Sequence, residues 1–252
     1  MPSLLRLPPP SLAPSPLRLP PSFAPSFLRL STIPRSFTMS NSLQYLLILD
    51  FEATCENTAR ILPQEIIEFP VLIYDLSTDA VTATFHEYVR PVAHPKLTQF
   101  CMELTGITQD TVDAAEPFPA VWSRLHAFLA SHNFINLDPT STSTLSSFAF
   151  LTCGNWDLKT MLPAQLAYTS TVHDPSIPMT PPSHFCRWIN VKQAFAECYK
   201  MKKWPRGMTD MLSQKKLELE GRHHSGIDDC KNIARIVKTM RDNGWVPRVT
   251  NR

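Results

Sequence analysis

The stretch Tyr45-Leu-Leu-Ile-Leu-Asp50-Phe-Glu52 decides which fold this sequence can adopt. Its apolar run before Asp50 is short and bounded by polar residues, which is typical of a strand buried inside a sheet. Asp50 closes that strand and Glu52 follows two residues later, so an extended chain points both carboxylates to the same side. The pair can therefore hold a divalent metal ion, although a strand-end Asp and Glu that face solvent would give the same pattern.

Strand and helix patterns follow one another on the C-terminal side of this stretch. Residues 65–76 and 82–90 are predicted to be the next two strands, joined by short turns as in an antiparallel meander. A fourth strand is predicted at residues 148–153. Helices are predicted at residues 96–104, 119–133, from Asp157 onwards, and at 192–200, 209–214 and 227–242. Strands that come first and helices that are interleaved later predict an α/β fold, in which helices cover a mixed sheet.

The beginning of the chain differs in composition from the rest. Its many prolines forbid a continuous helix, so we predict a disordered Pro/Ser/Arg-rich tail over residues 1–43. An organellar targeting segment and an over-extended gene start, with Met39 as the true initiator, are open alternatives. Residues 44–248 are predicted to form one domain, with loop insertions near residues 136–147 and 169–186.

The charge of the chain argues against a uniformly basic coat for nucleic acid. Residues 1–40 hold four arginines and no acid, so the net charge of +2 leaves a body with 20 basic and 22 acidic residues. The six cysteines are scattered, which fits reduced thiols inside a cell better than a zinc site. No apolar run approaches the ~20 residues of a membrane span. We expect a soluble protein of the cytoplasm or nucleus, or of the mitochondrion if the tail is a transit peptide.

Further acidic residues occur where predicted core elements begin. Asp157 follows the fourth strand and opens a helix, and Asp229 opens the last helix five residues after His224. Each Asp alone is equally typical of a helix cap, and His224 alone of an exposed loop. Together with Asp50 and Glu52, they match the needs of two-metal phosphodiester hydrolysis. Carboxylates are the ligands that Mg²⁺ prefers, and a neutral imidazole can take a proton from water.

The residues around this constellation resemble a known family, the DEDDh exonucleases. Three motifs carry the resemblance: Asp-Phe-Glu-Ala-Thr-Cys at 50–55, Cys-Gly-Asn-Trp-Asp-Leu at 153–158, and Glu-Gly-Arg-His-His-Ser-Gly-Ile-Asp-Asp-Cys-Lys-Asn-Ile-Ala at 220–234. They are similar to the subfamily of 3′ exoribonucleases that degrade small interfering RNA and trim the ends of histone mRNA and 5.8S ribosomal RNA. The resemblance covers about residues 44–246.

The resemblance implies a fold, a cofactor and a reaction. The fold is the RNase H-like mixed sheet flanked by helices of the DnaQ-like exonucleases. The reaction is 3′-to-5′ hydrolysis of RNA to nucleoside 5′-monophosphates, with two Mg²⁺ ions that Mn²⁺ can replace. The implied metal ligands are Asp50, Glu52, Asp157 and Asp229, and the implied general base is His224, whereas His223 does not match the catalytic position. The residues implied to contact substrate are Phe51, Ala53, Thr54, Thr105, Trp156 and His224.

Three details refine the resemblance. Leu104-Thr-Gly-Ile107 resembles a family segment beside the terminal nucleotide, with an ordinary helix-ending glycine as the alternative. Asn155 stands where the family often has Asp, at a position that is not a metal ligand. No segment resembles the SAP-type RNA-binding domain with which some relatives grip a stem-loop, so we expect general trimming rather than stem-loop specificity.

The expected partner is RNA with a free 3′ end, such as a small RNA, a structured RNA or a ribosomal RNA 3′ extension, and no membrane. The oligomeric state is left open. A DNA exonuclease is the first alternative, because the same chemistry cuts DNA and only contacts to the 2′-OH discriminate. A catalytically inactive RNA-binding adaptor is the second. It predicts a lost ligand, whereas all five chemical positions are filled.

A basic and aromatic cluster offers a further contact for RNA. It consists of Lys200, Lys202 and Lys203 with Trp204, in which ammonium groups can meet phosphates and the indole can stack on a base. The alternative is a solvated helix end whose Trp packs into the core.

Overall fold

The computed structural model describes residues 42–138 and 145–251. Within them, one sheet contains seven strands: β1 (Tyr45–Leu49), β2 (Glu52–Ala53), β3 (Ile66–Asp75), β4 (Ala80–Arg90), β5 (Glu116–Pro117), β6 (Phe148–Thr152) and β7 (Trp188–Asn190). The order across the sheet is β5-β4-β3-β1-β6-β7, and β2 pairs with β3. Residues 1–41 of the predicted disordered tail lie outside the described residues. Residues 139–144 of the predicted loop at 136–147 also lie outside them.

The predicted strand that contains Leu47 lies at the centre of the sheet as β1. It pairs antiparallel with β3, where Leu47 is opposite Ile73, and parallel with β6, where Leu47 is opposite Phe150. Strands β3 and β4 continue the antiparallel meander, while β6 and β7 are parallel. The predicted mixed sheet is therefore confirmed, and so is the meander.

Helices cover both faces of this sheet. They are α1 (Gln99–Thr105), α2 (Gln109–Asp113), α3 (Phe118–Ser131), α4 (Leu162–Val172), α5 (Val191–Cys198), α6 (Met208–Gln214) and α7 (Gly226–Asp242). A π-helical turn, Asp157–Met161, leads into α4, and a 3-10 turn spans Ser183–Phe185. Helices α3 and α4 pack on one face together with Leu47 and Leu49, and α5, α6 and α7 pack on the other face together with Leu46 and Ile48. Both sides of β1 are buried, which explains its uninterrupted apolar run.

Several boundaries differ from the sequence expectations. The loop predicted at residues 169–186 begins later, because α4 continues to Val172 and buries Thr169, whose hydroxyl accepts a hydrogen bond from Gln165 Nε2 at 3.0 Å. The short elements β2, α2, β5 and β7 were not predicted, since two to five residues carry too little periodicity. Among the described residues, no helix has both the length and the apolar character that crossing a membrane requires.

Gly226 allows α7 to begin directly against the end of β1. A Cβ at this position would lie 2.5 Å from the carbonyl oxygen of Asp50 and 3.1 Å from Pro70 Cγ. Backbone atoms of β1 cannot retreat without disturbing the sheet, so the position requires glycine. This close approach fixes the distance between the end of β1 and Asp229, which lies in the first turn of α7.

We expect Gly226→Ala to lower the free energy of unfolding by about 1–3 kcal/mol, because overpacking outweighs the gain in helix propensity. Urea unfolding measures the change. Gly207→Ala is the matched control, since a Cβ there meets nothing within 4 Å, and it should cost less than about 1 kcal/mol. Equal effects of the two substitutions would contradict a role for close packing at Gly226.

Candidate active site

The first motif turns a corner at the end of β1. Phe51 is buried in the core, where its ring meets Phe69 edge to face with centroids 4.6 Å apart. Asp50 and Glu52 flank Phe51 in the sequence, so their side chains point away from the side that its ring occupies. Strand β2 pairs Glu52 with Glu68 of β3, and the register shifts between Glu52 and Ala53. The Asp-x-Glu spacing therefore presents two carboxylates together, as the sequence pattern predicts.

Asp157 reaches the same place from β6. The chain leaves this strand through Gly154, whose φ is +123°, and Asp157 then opens the π-helical turn. Its Oδ1 accepts a hydrogen bond from the backbone N–H of Phe51 at 2.9 Å. The buried carboxylate thus joins β6 to the first motif instead of only capping its own helix. π-Helical turns of this kind are frequent at functional sites.

Asp229 and His224 complete the arrangement from α7 and the loop before it. Asp229 is buried, and its Oδ2 accepts a hydrogen bond from the backbone N–H of His224 at 3.1 Å. His224 has a φ of +63°, a left-handed conformation that is uncommon outside glycine and typical of functional sites. The ring of His223 lies close by, with centroids 3.9 Å apart. Both imidazoles are therefore near Asp229, and geometry alone does not exclude His223.

Three of the carboxylates converge on one point. Oxygen atoms of Asp50, Glu52 and Asp229 all lie within 4.8 Å of one another, and a second group of three joins His223, His224 and Asp229. Asp157 belongs to neither group. Among the described residues, Asp229 Oδ1 is buried and has no hydrogen-bond partner. Hard oxygen donors that converge, one of them without a partner, fit a divalent cation such as Mg²⁺.

Burial, and for three of the carboxylates also neighbouring negative charge, raises the pKa values of this cluster. Burial raises the pKa of Glu52 to about 9, with the Glu68 carboxylate as the next cause. Burial also raises the pKa of Asp229 to about 7, against the hydrogen bond from His224. The pKa of Asp157 rises to about 6 through burial, against the hydrogen bond from Phe51. For Asp50, burial and then Asp157 hold the pKa well above its ordinary value. A bound cation would relieve this repulsion.

Asp50, Glu52 and Asp229 line a cavity of about 360 Å³, whereas Asp157 and Glu68 do not. Its wall includes the predicted contact residues Phe51, Ala53, Trp156 and His224. Trp156 is 40% exposed, which leaves its indole face available for stacking on a base. Thr54 and Thr105 do not line the cavity. Thr54 Oγ1 accepts a hydrogen bond from Glu65 N, and Thr105 Oγ1 donates one to Cys101 O, so their contact with substrate stays a prediction.

The segment 104–107 ends a helix at a glycine and also borders the cavity, while its contact with a nucleotide stays a prediction. Gly106 has a φ of +77° and caps α1, with its N–H donating to Met102 O at 2.8 Å, as a helix-ending glycine does. Leu104 also lines the cavity. Arg222, in the third motif, donates to the carbonyl oxygens of Glu103 and Leu104 and so ties this segment to the loop of His224. Arg222 was not singled out by sequence reasoning.

Glu68 is the residue that the sequence interpretation missed most clearly. It is buried on β3, and its two oxygens accept hydrogen bonds from Gly226 N at 2.9 Å and Ile227 N at 3.1 Å. It therefore caps α7, whose own N-cap residue Ser225 makes no side-chain cap. His86 Nε2 lies 2.8 Å from Glu68 Oε1. The only sequence signal is an acid inside an otherwise apolar strand, and that signal does not identify the helix it contacts.

Asn155, where the family often has Asp, makes structural hydrogen bonds. Its Oδ1 accepts hydrogen bonds from Trp188 Nε1 at 3.0 Å and Asn190 Nδ2 at 3.4 Å. The amide thus fixes the turn before Asp157 to β7, and it lies outside the groups of converging ligand atoms.

Comparisons with known proteins identify the family to which this site belongs. A family model for the RNase T exonuclease domain matches residues 47–237. Human ERI1 exoribonuclease 3 is 44% identical over 209 residues, which cover 82% of this chain and 57% of the relative. The match covers 57% of the length of this relative, and 30% and 39% of the ERI1 exoribonuclease 2 proteins of Xenopus laevis and Danio rerio.

Two solved structures are similar over almost their whole length. The nuclease domain of 3′hExo, a DEDDh family member bound to rAMP, has a TM-score of 0.72 and 34% identity, covering 83% of this chain and 98% of that one. A 3′-exonuclease in complex with a histone mRNA stem-loop has a TM-score of 0.71 and 34% identity, covering 82% and 86%. These matches confirm the RNase H-like exonuclease fold that the motifs implied.

We expect Asp229→Asn to raise the free energy of unfolding of the metal-free protein by roughly 1–3 kcal/mol near pH 8, because a buried charge that neighbouring carboxylates also repel is removed. The folded pKa of Asp229, about 7, lies above its ordinary value of 3.8. The gain should therefore be absent below about pH 4, grow as the pH rises to about 7, and be complete above it. Urea unfolding in EDTA across this range measures it, and destabilisation at pH 8 would contradict the like-charge account.

Glu68→Ala should have the opposite effect, although it removes the same charge from the same cluster. It leaves the N–H groups of Gly226 and Ile227 without their acceptor, and we expect a loss of about 2 kcal/mol in the same urea titration. Glu87→Ala is the control, since its partner Arg124 is a surface residue and the loss should stay below about 1 kcal/mol. An unchanged stability of Glu68→Ala would show that α7 does not depend on this cap.

Proposed function

Because the chain belongs to the RNase T exonuclease family, in its DEDDh branch, we propose that it is a 3′-to-5′ exoribonuclease that releases nucleoside 5′-monophosphates. The observation that carries this proposal is the convergence of Asp50, Glu52 and Asp229 within 4.8 Å at a cavity that also contains His224. Carboxylates held so close together are costly unless a cation is bound. The family and the acidic cluster imply dependence on a divalent metal ion.

For the cofactor we propose two Mg²⁺ ions, which Mn²⁺ can replace. Asp50, Glu52 and Asp229 would hold them. Asp157 is close to these carboxylates, but its oxygens are not among the converging ligand atoms. When bound, the ions stabilise charge on the attacking and leaving oxygens of the phosphodiester. The unpartnered Asp229 Oδ1 and the oxygen-only donor set of the carboxylates support this assignment.

For the proton transfer we propose an imidazole nitrogen of His224 as the acceptor of the proton from the attacking water. Burial, followed by His223 and Arg222, lowers the pKa of His224, so that its ring is neutral and basic near pH 7. The hydrogen bond from His224 N to Asp229 holds the loop beside the metal ligands. Trp156, exposed at the cavity, would stack on the terminal base.

RNA is the proposed substrate because the curated relatives are named exoribonucleases, and because the similar structures were solved with rAMP and with a histone mRNA stem-loop. We propose RNA with a free 3′ end: a small RNA, a structured RNA or a ribosomal RNA 3′ extension. For the place of action we propose the cytoplasm or nucleus. Support comes from the six cysteines, all within the described residues and all free thiols.

Digestion of 5′-labelled single-stranded RNA and of the matched DNA tests the proposed function. With Mg²⁺ we expect a ladder of stepwise shortened RNA and much slower cutting of DNA, and EDTA should abolish both. Asp50→Ala should lower the rate at least about a thousandfold, as expected when a metal ligand is lost. Asp110→Ala is the control, since this Asp is exposed in the first turn of α2, and its rate should equal that of the wild type.

Other outcomes identify the alternatives. DNA cut as fast as RNA would replace the proposal by a DNA exonuclease. RNA that is bound tightly but never shortened would identify a binding protein that retains the five residues.

A further inference from the structure

A basic and aromatic ridge lies beside the cavity, in the segment between α5 and α6. We define the ridge as Lys202, Lys203, Trp204 and Arg206, all of which are exposed. Trp204 is 53% exposed, so the sequence alternative in which it packs into the core is wrong. Pro205, which lies between Trp204 and Arg206, is buried and fixes the segment to the body of the protein.

The ridge is continuous with the wall of the cavity. The residues that follow it, Gly207 and Met208, line the cavity together with Asp50. The Cα of Trp204 lies no more than roughly 11 Å from that of Gly207, because three residues of extended chain span at most about 3.6 Å each. Trp204 therefore lies near the wall of the cavity, at a distance that a strand of a few nucleotides can span.

Lys192 joins the ridge to the second motif. Its Nζ donates to the carbonyl oxygen of Arg206 at 3.4 Å. Its side chain also packs against Gly154, where a Cβ would lie 3.8 Å from Lys192 Cε. Gly154 precedes Trp156, the exposed indole of the cavity, by two residues. Two exposed indoles thus border the same run of positive charge.

The charge of the ridge is largely uncompensated. Arg206 Nε lies 4.0 Å from Asp210, and the Arg206 side chain is 95% exposed. Within residues 42–138 and 145–251, no acidic side chain forms a salt bridge with Lys192, Lys202 or Lys203. The neighbouring cavity has the opposite sign, since it contains Asp50, Glu52 and Asp229. A polyanion is therefore attracted beside the cavity rather than by its acidic centre.

We propose that the ridge binds single-stranded RNA on the 5′ side of its last two nucleotides, the final one of which occupies the cavity. Trp204 stacks on an unpaired base, and Lys202, Lys203 and Arg206 contact phosphates. The strand can continue only in the 5′ direction once its 3′ end occupies the active site. The ridge selects an unpaired strand, because a base inside a duplex offers no free face to the indole. This inference rests on the proposed function, whose substrate it extends beyond the terminal nucleotide.

Substrate length separates the ridge from the catalytic centre. We compare Trp204→Ala, and a Lys202→Gln, Lys203→Gln double variant, with the wild type on two substrates: a ribodinucleotide and a long unstructured oligoribonucleotide. Lys238→Gln is the control for the loss of one lysine charge elsewhere on the surface, since Lys238 is on α7 and pairs with Asp242. Binding of the long RNA in EDTA, by fluorescence anisotropy, gives a second readout that is independent of catalysis.

Trp204→Ala should raise KM for the long RNA, and its Kd, about tenfold, which is about 1.4 kcal/mol, because base stacking is lost. Hydrolysis of the dinucleotide should be unchanged, which also shows that the variant is folded. The double lysine variant should reduce the slope of log Kd against log salt by about 0.7 for each phosphate that a lysine no longer neutralises. Lys238→Gln should alter neither quantity.

Wild-type KM, Kd and salt slope in the ridge variants would overturn the inference, and would leave the ridge as a surface for a protein partner. An equal loss on the dinucleotide and the long RNA would overturn it too, because the ridge would then act on the catalytic centre. A wild-type protein that cuts neither RNA would instead refute the proposed function. The binding measurement would then be the test of whether the ridge binds RNA.

Discussion

Mutual repulsion among carboxylates at the end of β1 is the constraint on which the rest of the site depends. Glu52, Glu68, Asp157 and Asp229 are buried next to Asp50, and burial and like charge raise the pKa of Glu52 to about 9 and of Asp229 to about 7. Such a cluster is unstable by itself, since a desolvated charge needs partners. The structure therefore has to supply partners without filling the space between the acids.

Backbone N–H groups from distant elements supply most of these partners. Asp157 accepts from Phe51, Asp229 accepts from His224, and Glu68 accepts from the first residues of α7. The bonds of Asp157 and Glu68 join elements that are far apart in the chain, so that satisfying these acids also assembles the site. One oxygen, Asp229 Oδ1, is left without a partner among the described residues, which leaves a ligand for a cation. Function and metal-free stability are thus opposed at this position.

The central sheet makes this arrangement rigid. Strand β1 is covered on both faces, and Gly226 brings α7 against its end, so Asp50, Glu52 and Asp229 come from segments that cannot move independently. Outside this rigid centre the charge of the surface changes from negative in the cavity to positive on the ridge that contains Trp204. The contrast suits a polyanionic strand that lies along the basic ridge and places only its end in the acidic cavity.

The sequence by itself determined the fold class and the identity of the chemical groups. A buried strand reads as an apolar run, Asp-x-Glu alternates with the strand period, and the third motif is local in the chain, so each of these patterns is visible without a structure. Only the tertiary structure decided that Glu68 caps α7, that Gly226 permits its close approach, that Arg222 holds the segment of Leu104, and that Trp204 is exposed. The physical reason is separation along the chain. Contacts such as that between Glu68 and Gly226 join residues 158 positions apart, and neither periodicity nor spacing records which distant backbone group a buried side chain will meet.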